Sequence, residues 1–188
     1  MARIIGIAGS LRTGSFNAAL LRAAVAVAPA GIEVEIASIA GIPLYNADEE
    51  AERGIPEPVS ALKERIVSSD GLLLVTPEYN GSLPGVAKTA VDWLSRPGTD
   101  VAQVFGGRPV GIIGATPGSW GTRLSQTAWL PVFRNLGASV YFGRQLYVAG
   151  AEKVFDAAGT LVDDRVRKLL SSYLAGFAEF VAANGRRA

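Results

Sequence analysis

The chain contains no cysteine and no histidine. Without cysteine there is no disulfide framework, no thiol nucleophile and no thiolate metal site. Without histidine, a Ser-His-Asp triad and proton transfer by imidazole are both excluded. Any chemistry must come from carboxylates, tyrosine, lysine, backbone dipoles or a borrowed cofactor, and cofactors carry reactions that side chains cannot. A charge excess is also missing. The 18 basic and 17 acidic groups leave a formal net charge of +1. That balance gives no electrostatic footprint for nucleic acid. It also lacks the strong acidity by which small electron carriers steer to basic partners. Arg186-Arg187 at the tail reads as a solvated end rather than a binding patch. Long apolar runs are absent too. The longest apolar region, 18–30, is interrupted by Arg22, and a bilayer span needs about 20 apolar residues. The first apolar stretch is broken by Gly6 and Gly9 and lacks a cleavage pattern, so no export signal is expected. The expectation is a cytoplasmic protein that associates with neither nucleic acid nor membrane.

What remains is rich in apolar residues, which make up 49% of 188 positions. That suits one domain over 1–188 with a sizeable core. Arg3 to Ala8 and Gly71 to Thr76 are continuous apolar runs, the pattern of strands buried on both faces of a parallel sheet. Pro109 to Ala115 is a third such run, Glu33 to Ile36 alternates as a more exposed strand, and Ser139 to Phe142 reads as a short last strand. Between them, helical patterns cover Asn17 to Val27, Val59 to Ser69, Pro84 to Ser95 and Thr122 to Leu136, the last with a kink expected at Pro131. Ile42 to Pro58, with three prolines and a run of acids, reads as a long loop with at most a helical turn. Asp163 to Ala183 reads as a closing helix with Val166, Leu169, Leu170, Leu174 and Phe177 on one face. Strands alternating with helices predict an α/β three-layer sandwich. Five strands at this spacing fit a parallel sheet of order 2-1-3-4-5, the flavodoxin-like arrangement, which binds its ligand beyond the strand carboxyl ends.

Three strand ends carry unusual loops. The first, Gly9-Ser10-Leu11-Arg12-Thr13-Gly14-Ser15-Phe16-Asn17, leads into a helix. A helix N-terminus offers unpaired N–H groups and a positive dipole end to an anion. Gly9 allows close backbone approach, Ser10, Ser15 and Asn17 can donate, and Arg12 can add a charge-assisted contact. The loop is neither a dinucleotide fingerprint nor a Walker A sequence, which favours one terminal phosphate. The bland alternative is that these residues only cap the helix and turn the chain. In the second loop, Thr76-Pro77-Glu78-Tyr79-Asn80-Gly81, Pro77 removes a donor and Asn80-Gly81 favours a tight turn with positive φ. Its edge suits a flat heterocycle beside Tyr79; its alternative is an ordinary connection with an exposed tyrosine. The third, Thr116-Pro117-Gly118-Ser119-Trp120-Gly121, can offer N–H groups from Gly118 and Gly121. A phosphorylated ring cofactor needs this combination of donors and flat edge. Arg123 is either a cation on the substrate side or a surface residue. Trp93, Trp120 and Trp129 are either core or an exposed patch marking a subunit contact, and Trp120 is alternatively a neighbour of the ring.

Gly9-Ser10-Leu11-Arg12-x-x-Ser15-x-Asn17, taken with Thr76-Pro77-Glu78-Tyr79-Asn80-Gly81-Ser82-Leu83-Pro84-Gly85-x-x-Lys88, resembles the NADPH-dependent FMN reductase family. Within it, the pattern is most similar to the bacterial quinone, chromate and azo-dye reductases. The resemblance runs from Arg3 to about Phe180. It implies non-covalent FMN, with Ser10, Arg12, Ser15 and Asn17 about its phosphate and Gly9 and Leu11 among the cofactor-binding residues. Pro77, Glu78, Tyr79, Asn80 and Gly81 then line the isoalloxazine, largely through backbone, and Thr116, Pro117 and Gly118 complete the site. It implies NADPH or NADH as hydride donor, a quinone-like acceptor, and a homodimer or homotetramer with sites near subunit boundaries. Trp120 departs from the small residues many relatives carry there, and Lys88 is left as a helix-surface or interface residue. No catalytic side chain and no metal is expected. The rival roles are a flavin reductase supplying reduced FMN to a partner enzyme, a flavodoxin-type electron carrier, and a ligand-sensing scaffold on the same fold.

Overall fold

The computed structural model describes residues 1–184, so Arg186 and Arg187 lie outside the described residues. In chain order the elements are β1 Ala2–Ala8, α1 Phe16–Ala26, β2 Ile32–Ala37, α2 Ala47–Arg53, α3 Glu57–Val67, β3 Gly71–Val75, α4 Gly85–Leu94, α5 Val101–Val104, β4 Pro109–Ala115, α6 Arg123–Asn135, β5 Ser139–Val140, β6 Tyr147–Val148, α7 Ala151–Val154 and α8 Asp164–Asn184. The sheet runs β2-β1-β3-β4-β5, every pair parallel, as the pattern predicted. Two-residue β6 pairs with β4 beyond β5, Gly114 opposite Tyr147 and Ala115 opposite Val148. Six strands among the described residues therefore replace the expected five. The sixth is too short to leave a periodic trace in the sequence.

Side chains of the buried strands alternate between two cores. Ile4, Leu73, Val75 and Ile113 face α1 and α8, where they meet Leu20, Leu21, Leu170, Leu174 and Phe177. Ile5, Leu72, Leu74, Val110 and Ile112 face the other layer and meet Leu62, Ile66, Val91, Trp93, Trp129 and Phe133. A strand covered on both faces has no solvent side, which is why these runs are uniformly apolar. The glycine at position 6 lets α1 lie flat on β1: a Cβ there would stand 2.5 Å from a Leu21 methyl.

Two sequence readings are corrected. The 42–58 segment holds a two-turn helix, α2, where a loop was expected. Asn46 caps it by accepting from the Asp48 N–H, and Asp48, Glu49 and Glu50 sit at the positive end of its dipole. The run of acids was thus a helix start rather than a solvated loop. On α8, Leu169 is 48% exposed while Tyr173 and Val181 are buried beside Leu170, Leu174 and Phe177. The apolar face of that helix turns slightly away from Leu169. Helix α6 continues through Pro131 to Asn135.

Candidate active site at the strand carboxyl ends

The loops after β1, β3 and β4 meet around one cavity of about 270 Å³. Its walls are Ser10, Arg12, Ser15, Phe16 and Asn17 from the first loop and helix, Pro77, Glu78 and Tyr79 from the second, and Ala115, Thr116 and Pro117 from the third. This lies at the carboxyl edge of the sheet where strand order reverses between β1 and β3, the expected ligand position for an open parallel sheet.

The first loop gathers donors and one cation at a helix start. Ser15 caps α1 by accepting from the Ala18 N–H, so its side chain is partly occupied by the helix. The N–H groups of Phe16 and Asn17, the next two in the helix, find no acceptor among the described residues. Arg12 folds back over the loop, donating to the Gly14 carbonyl at 2.6 Å, with its guanidinium 5.5 Å from the Phe16 ring centre. It is the one cation lining the cavity among the described residues. Ser10 Oγ approaches Tyr79 Oη at 3.5 Å across the opening.

Asn17 performs a different task. Its side-chain amide donates to the Ala115 carbonyl and accepts from the Ala115 N–H, both at 2.9 Å, and the residue is buried. This bidentate clamp fixes the N-terminus of α1 to the end of β4.

The second loop folds on itself. Tyr79 and Ser82 exchange both backbone hydrogen bonds, at 3.1 and 3.0 Å, and Asn80 and Gly81 both have positive φ, 51° and 70°. That sign pattern belongs to a type I′ turn, for which Asn-Gly is the preferred pair. Glu78 lines the cavity but ties its carboxylate to the start of α6. One carboxylate oxygen accepts from the Leu124 and Ser125 N–H groups at 2.8 and 3.1 Å. Glu78 therefore caps α6 from a distance, in place of Thr122, which makes no side-chain cap. Tyr79 stays half exposed at the mouth.

Beneath the same loop lies a buried polar hub. The Thr76 hydroxyl is within 2.9 Å of both the Pro77 carbonyl and Ser125 Oγ, and 3.0 Å from Trp129 Nε1. Thr76, Ser125 and Trp129 are all fully buried. Close approach here depends on the glycine at position 114, where a Cβ would stand 2.1 Å from both Thr122 Oγ1 and the Thr76 carbonyl.

Five expected site residues do not line the cavity. Gly9 packs tightly under it against Pro77, Pro84 and Ala87; Leu11 is exposed on the outer side; Asn80 and Gly81 form the turn tip; Gly118 sits above, its N–H weakly bonded to Thr116 Oγ1 at 3.4 Å. Phe16 and Ala115 line the cavity and were missed, although both adjoin expected residues. Of the tryptophans, Trp93 and Trp129 are core and Trp120 is 74% exposed. Lys88 pairs with Asp92 one turn along α4, and Arg123 lies over the Tyr147 ring. A second cavity, about 490 Å³, adjoins the first loop as well, sharing Ser15 and Phe16 and lined further by Thr13, Gly14, Arg22, Phe155 and Asp156. No group of three or more acidic residues that could hold a metal occurs among the described residues.

The profile of a family described as NADPH-dependent FMN reductase matches residues 2–153. The chain belongs to that family. It is 41% identical over 172 residues to an NAD(P)H-dependent FMN reductase of Pseudomonas aeruginosa, covering 92% of this chain and 91% of that protein. It is 38% identical over 179 residues to a 2-hydroxy-1,4-benzoquinone reductase of a Burkholderia species, covering 95% and 96%. Among solved structures, the flavoenzyme NAD(P)H:(acceptor) oxidoreductase FerB from Paracoccus denitrificans superposes with a TM-score of 0.88 at 31% identity, covering 99% of this chain and all of that one. The chain is an oxidoreductase of the FMN reductase and quinone reductase type, on the flavodoxin-like fold the family shares. No helix among the described residues is long and apolar enough to cross a membrane.

Proposed function

We propose that this protein binds FMN non-covalently across the three loops and passes reducing equivalents from NAD(P)H to quinones or similar flat acceptors. The observation that carries the reading is the convergence of a helix start with two unpaired N–H groups, one arginine and two further strand-end loops on a single cavity. FMN held there by the three loops would supply the hydride and electron transfer that the side chains of this protein cannot.

The chain's own residues bind and orient. Ser10, Arg12, Ser15 and the Phe16 and Asn17 N–H groups suit a phosphate monoester, whose charge is favoured at a helix N-terminus by roughly 0.3–1 kcal/mol, more when partly buried. Pro77, Glu78 and Tyr79 suit the ring edge, and Thr116 and Pro117 close the other side. Glu78 has one carboxylate oxygen committed to the start of α6. The protein's contribution to rate is then the placing of two planar rings in contact, which needs no protein acid. This agrees with a chain that has no histidine.

Exposed Leu11, Tyr79, Trp120 and Leu124 stand on the segments that rim this end of the sheet. Scattered exposed apolar residues are ordinary, but several around one opening suit coverage by a second copy. We read a homodimer or larger homo-oligomer with the cavities near its boundary.

The test is the absorption spectrum of freshly purified protein before and after NADPH. Bound flavin that bleaches with NADPH and recovers with a quinone is expected. Protein that takes up no FMN would overturn the reading. Release of reduced FMN into solution during turnover would instead assign the protein to supplying flavin to a partner enzyme.

A further inference from the structure

The hydrogen positions in the hub under the second loop follow by elimination. Trp129 Nε1–H can only donate and the Pro77 carbonyl can only accept. Thr76 has one proton, and its hydroxyl lies 2.9 Å from the Pro77 carbonyl. That proton goes to Pro77. Thr76 Oγ1 then accepts twice, from Trp129 Nε1–H at 3.0 Å and from Ser125 Oγ–H at 2.9 Å. Every bonding capacity of the hydroxyl is filled inside a fully buried site.

This arrangement fixes a peptide plane. The Pro77–Glu78 bond is trans, since the single cis bond among the described residues precedes Pro97. In a trans peptide the C=O and N–H point in opposite directions. With the Pro77 carbonyl held inward by Thr76, the Glu78 N–H points outward. It has no acceptor among the described residues. Pro77 itself offers no N–H. The Glu78 N–H is therefore the donor that Pro77-Glu78 presents on the open side of the loop, where both residues line the cavity. Glu78 is held from its other end as well, by its carboxylate on the Leu124 and Ser125 N–H groups.

We propose that Thr76 is a positioning residue for the redox-active ring: by tying the Pro77 carbonyl to Ser125 and Trp129 it holds the Glu78 N–H toward a ring nitrogen. The inference rests on FMN occupying this cavity. A nitrogen that gains hydrogen on reduction loses its acceptor role, so a fixed donor facing it favours the oxidised ring. Thr76 thus tunes the potential downward without touching the cofactor.

The test compares wild type, Thr76→Val, Thr76→Ser and Ser125→Ala as full-length protein, measuring FMN dissociation constants in both redox states and the midpoint potential. For Thr76→Val, oxidised FMN is expected to bind about tenfold more weakly, the size of one hydrogen bond, with reduced FMN little changed. A tenfold differential raises a two-electron midpoint potential by about 30 mV. Thr76→Ser restores both values, and Ser125→Ala moves both the same way by less. A purely structural role would weaken both redox states alike and leave the potential unmoved; that result overturns the proposal. If Thr76→Val does not fold, an unchanged potential in Ser125→Ala overturns it alone. If wild type takes up no FMN, the reading of the cavity fails and this inference with it. Wild type that binds FMN beside variants of unchanged potential refutes the inference and leaves the reading standing.

Discussion

Truncating Asn17 to alanine separates a structural from a ligand-binding role at the start of α1. Its amide makes two hydrogen bonds of 2.9 Å to the backbone of Ala115, and the residue is 3% exposed. Asn17→Ala leaves the Ala115 N–H and C=O without those partners at the end of a buried strand. One stranded buried polar group costs about 1–3 kcal/mol. Two at one position, with some relief from water entering beside the cavity, cost about 2–4 kcal/mol. For a domain of this size each kcal/mol lowers Tm by about 2–4 °C, so a fall of about 4–16 °C is expected. The assay is thermal melting of flavin-free protein, which removes any ligand contribution. Asn17→Asp keeps the acceptor for the Ala115 N–H but sets a carboxylate oxygen against the Ala115 carbonyl. It should destabilise at least as much as alanine at neutral pH and recover in part as the acid is protonated. If flavin-free Asn17→Ala melts within about 1 °C of wild type while losing FMN affinity, Asn17 serves the phosphate and the clamp argument is wrong.

Three further outcomes are expected. Gly114→Ala forces a Cβ to within 2.1 Å of Thr122 Oγ1 and the Thr76 carbonyl, so it should cost at least the roughly 1–3 kcal/mol of an overpacked core and express poorly; wild-type melting would refute the close approach. Trp120→Ala, at a side chain 74% exposed, should change monomer stability by no more than about 0.5 kcal/mol yet shift the assembly towards smaller mass in light scattering; an unchanged mass removes Trp120 from the interface. Acid should destabilise the fold. Arg3 and then Arg65 hold Glu35 below the ordinary carboxylate range, Arg96 does the same for Glu50, and Lys63 for Asp100. A group with a lowered folded-state pKa stabilises above its unfolded pKa, about 4 for these carboxylates, and that stability is lost as pH falls through the folded value. Glu35→Gln should flatten the decline of Tm between pH 5 and about 3; a slope identical to wild type would show that this triad does not contribute.

The fold was legible because burial on two faces leaves a plain trace. Residues 72–75 and 109–115 are apolar without alternation, and only a covered parallel sheet accommodates that in short strands. Helix α2 was obscured because its stabilisation is a cap and a dipole rather than an apolar face; none of its residues is buried. Strand β6 was hidden by its length, since two residues cannot show a period. At the cavity, sequence revealed which residues converge but not what each side chain does there. Polar side chains in a βα loop face two demands, from the ligand and from the backbone groups that the turn leaves unpaired. In this chain the second demand dominates: Asn17 answers Ala115, Glu78 answers the start of α6, and Thr76 answers Pro77 and Trp129. Beside Arg12 and Ser10, the donors on residues lining the cavity that are left without a partner among the described residues include the main-chain N–H groups of Phe16, Asn17 and Glu78. A donor on the backbone keeps its direction when the side chain changes, provided its peptide plane is held. With FMN bound as proposed, ring-edge recognition would depend most on buried residues that never meet the ring, and no motif read along the chain can distinguish those from the residues that do.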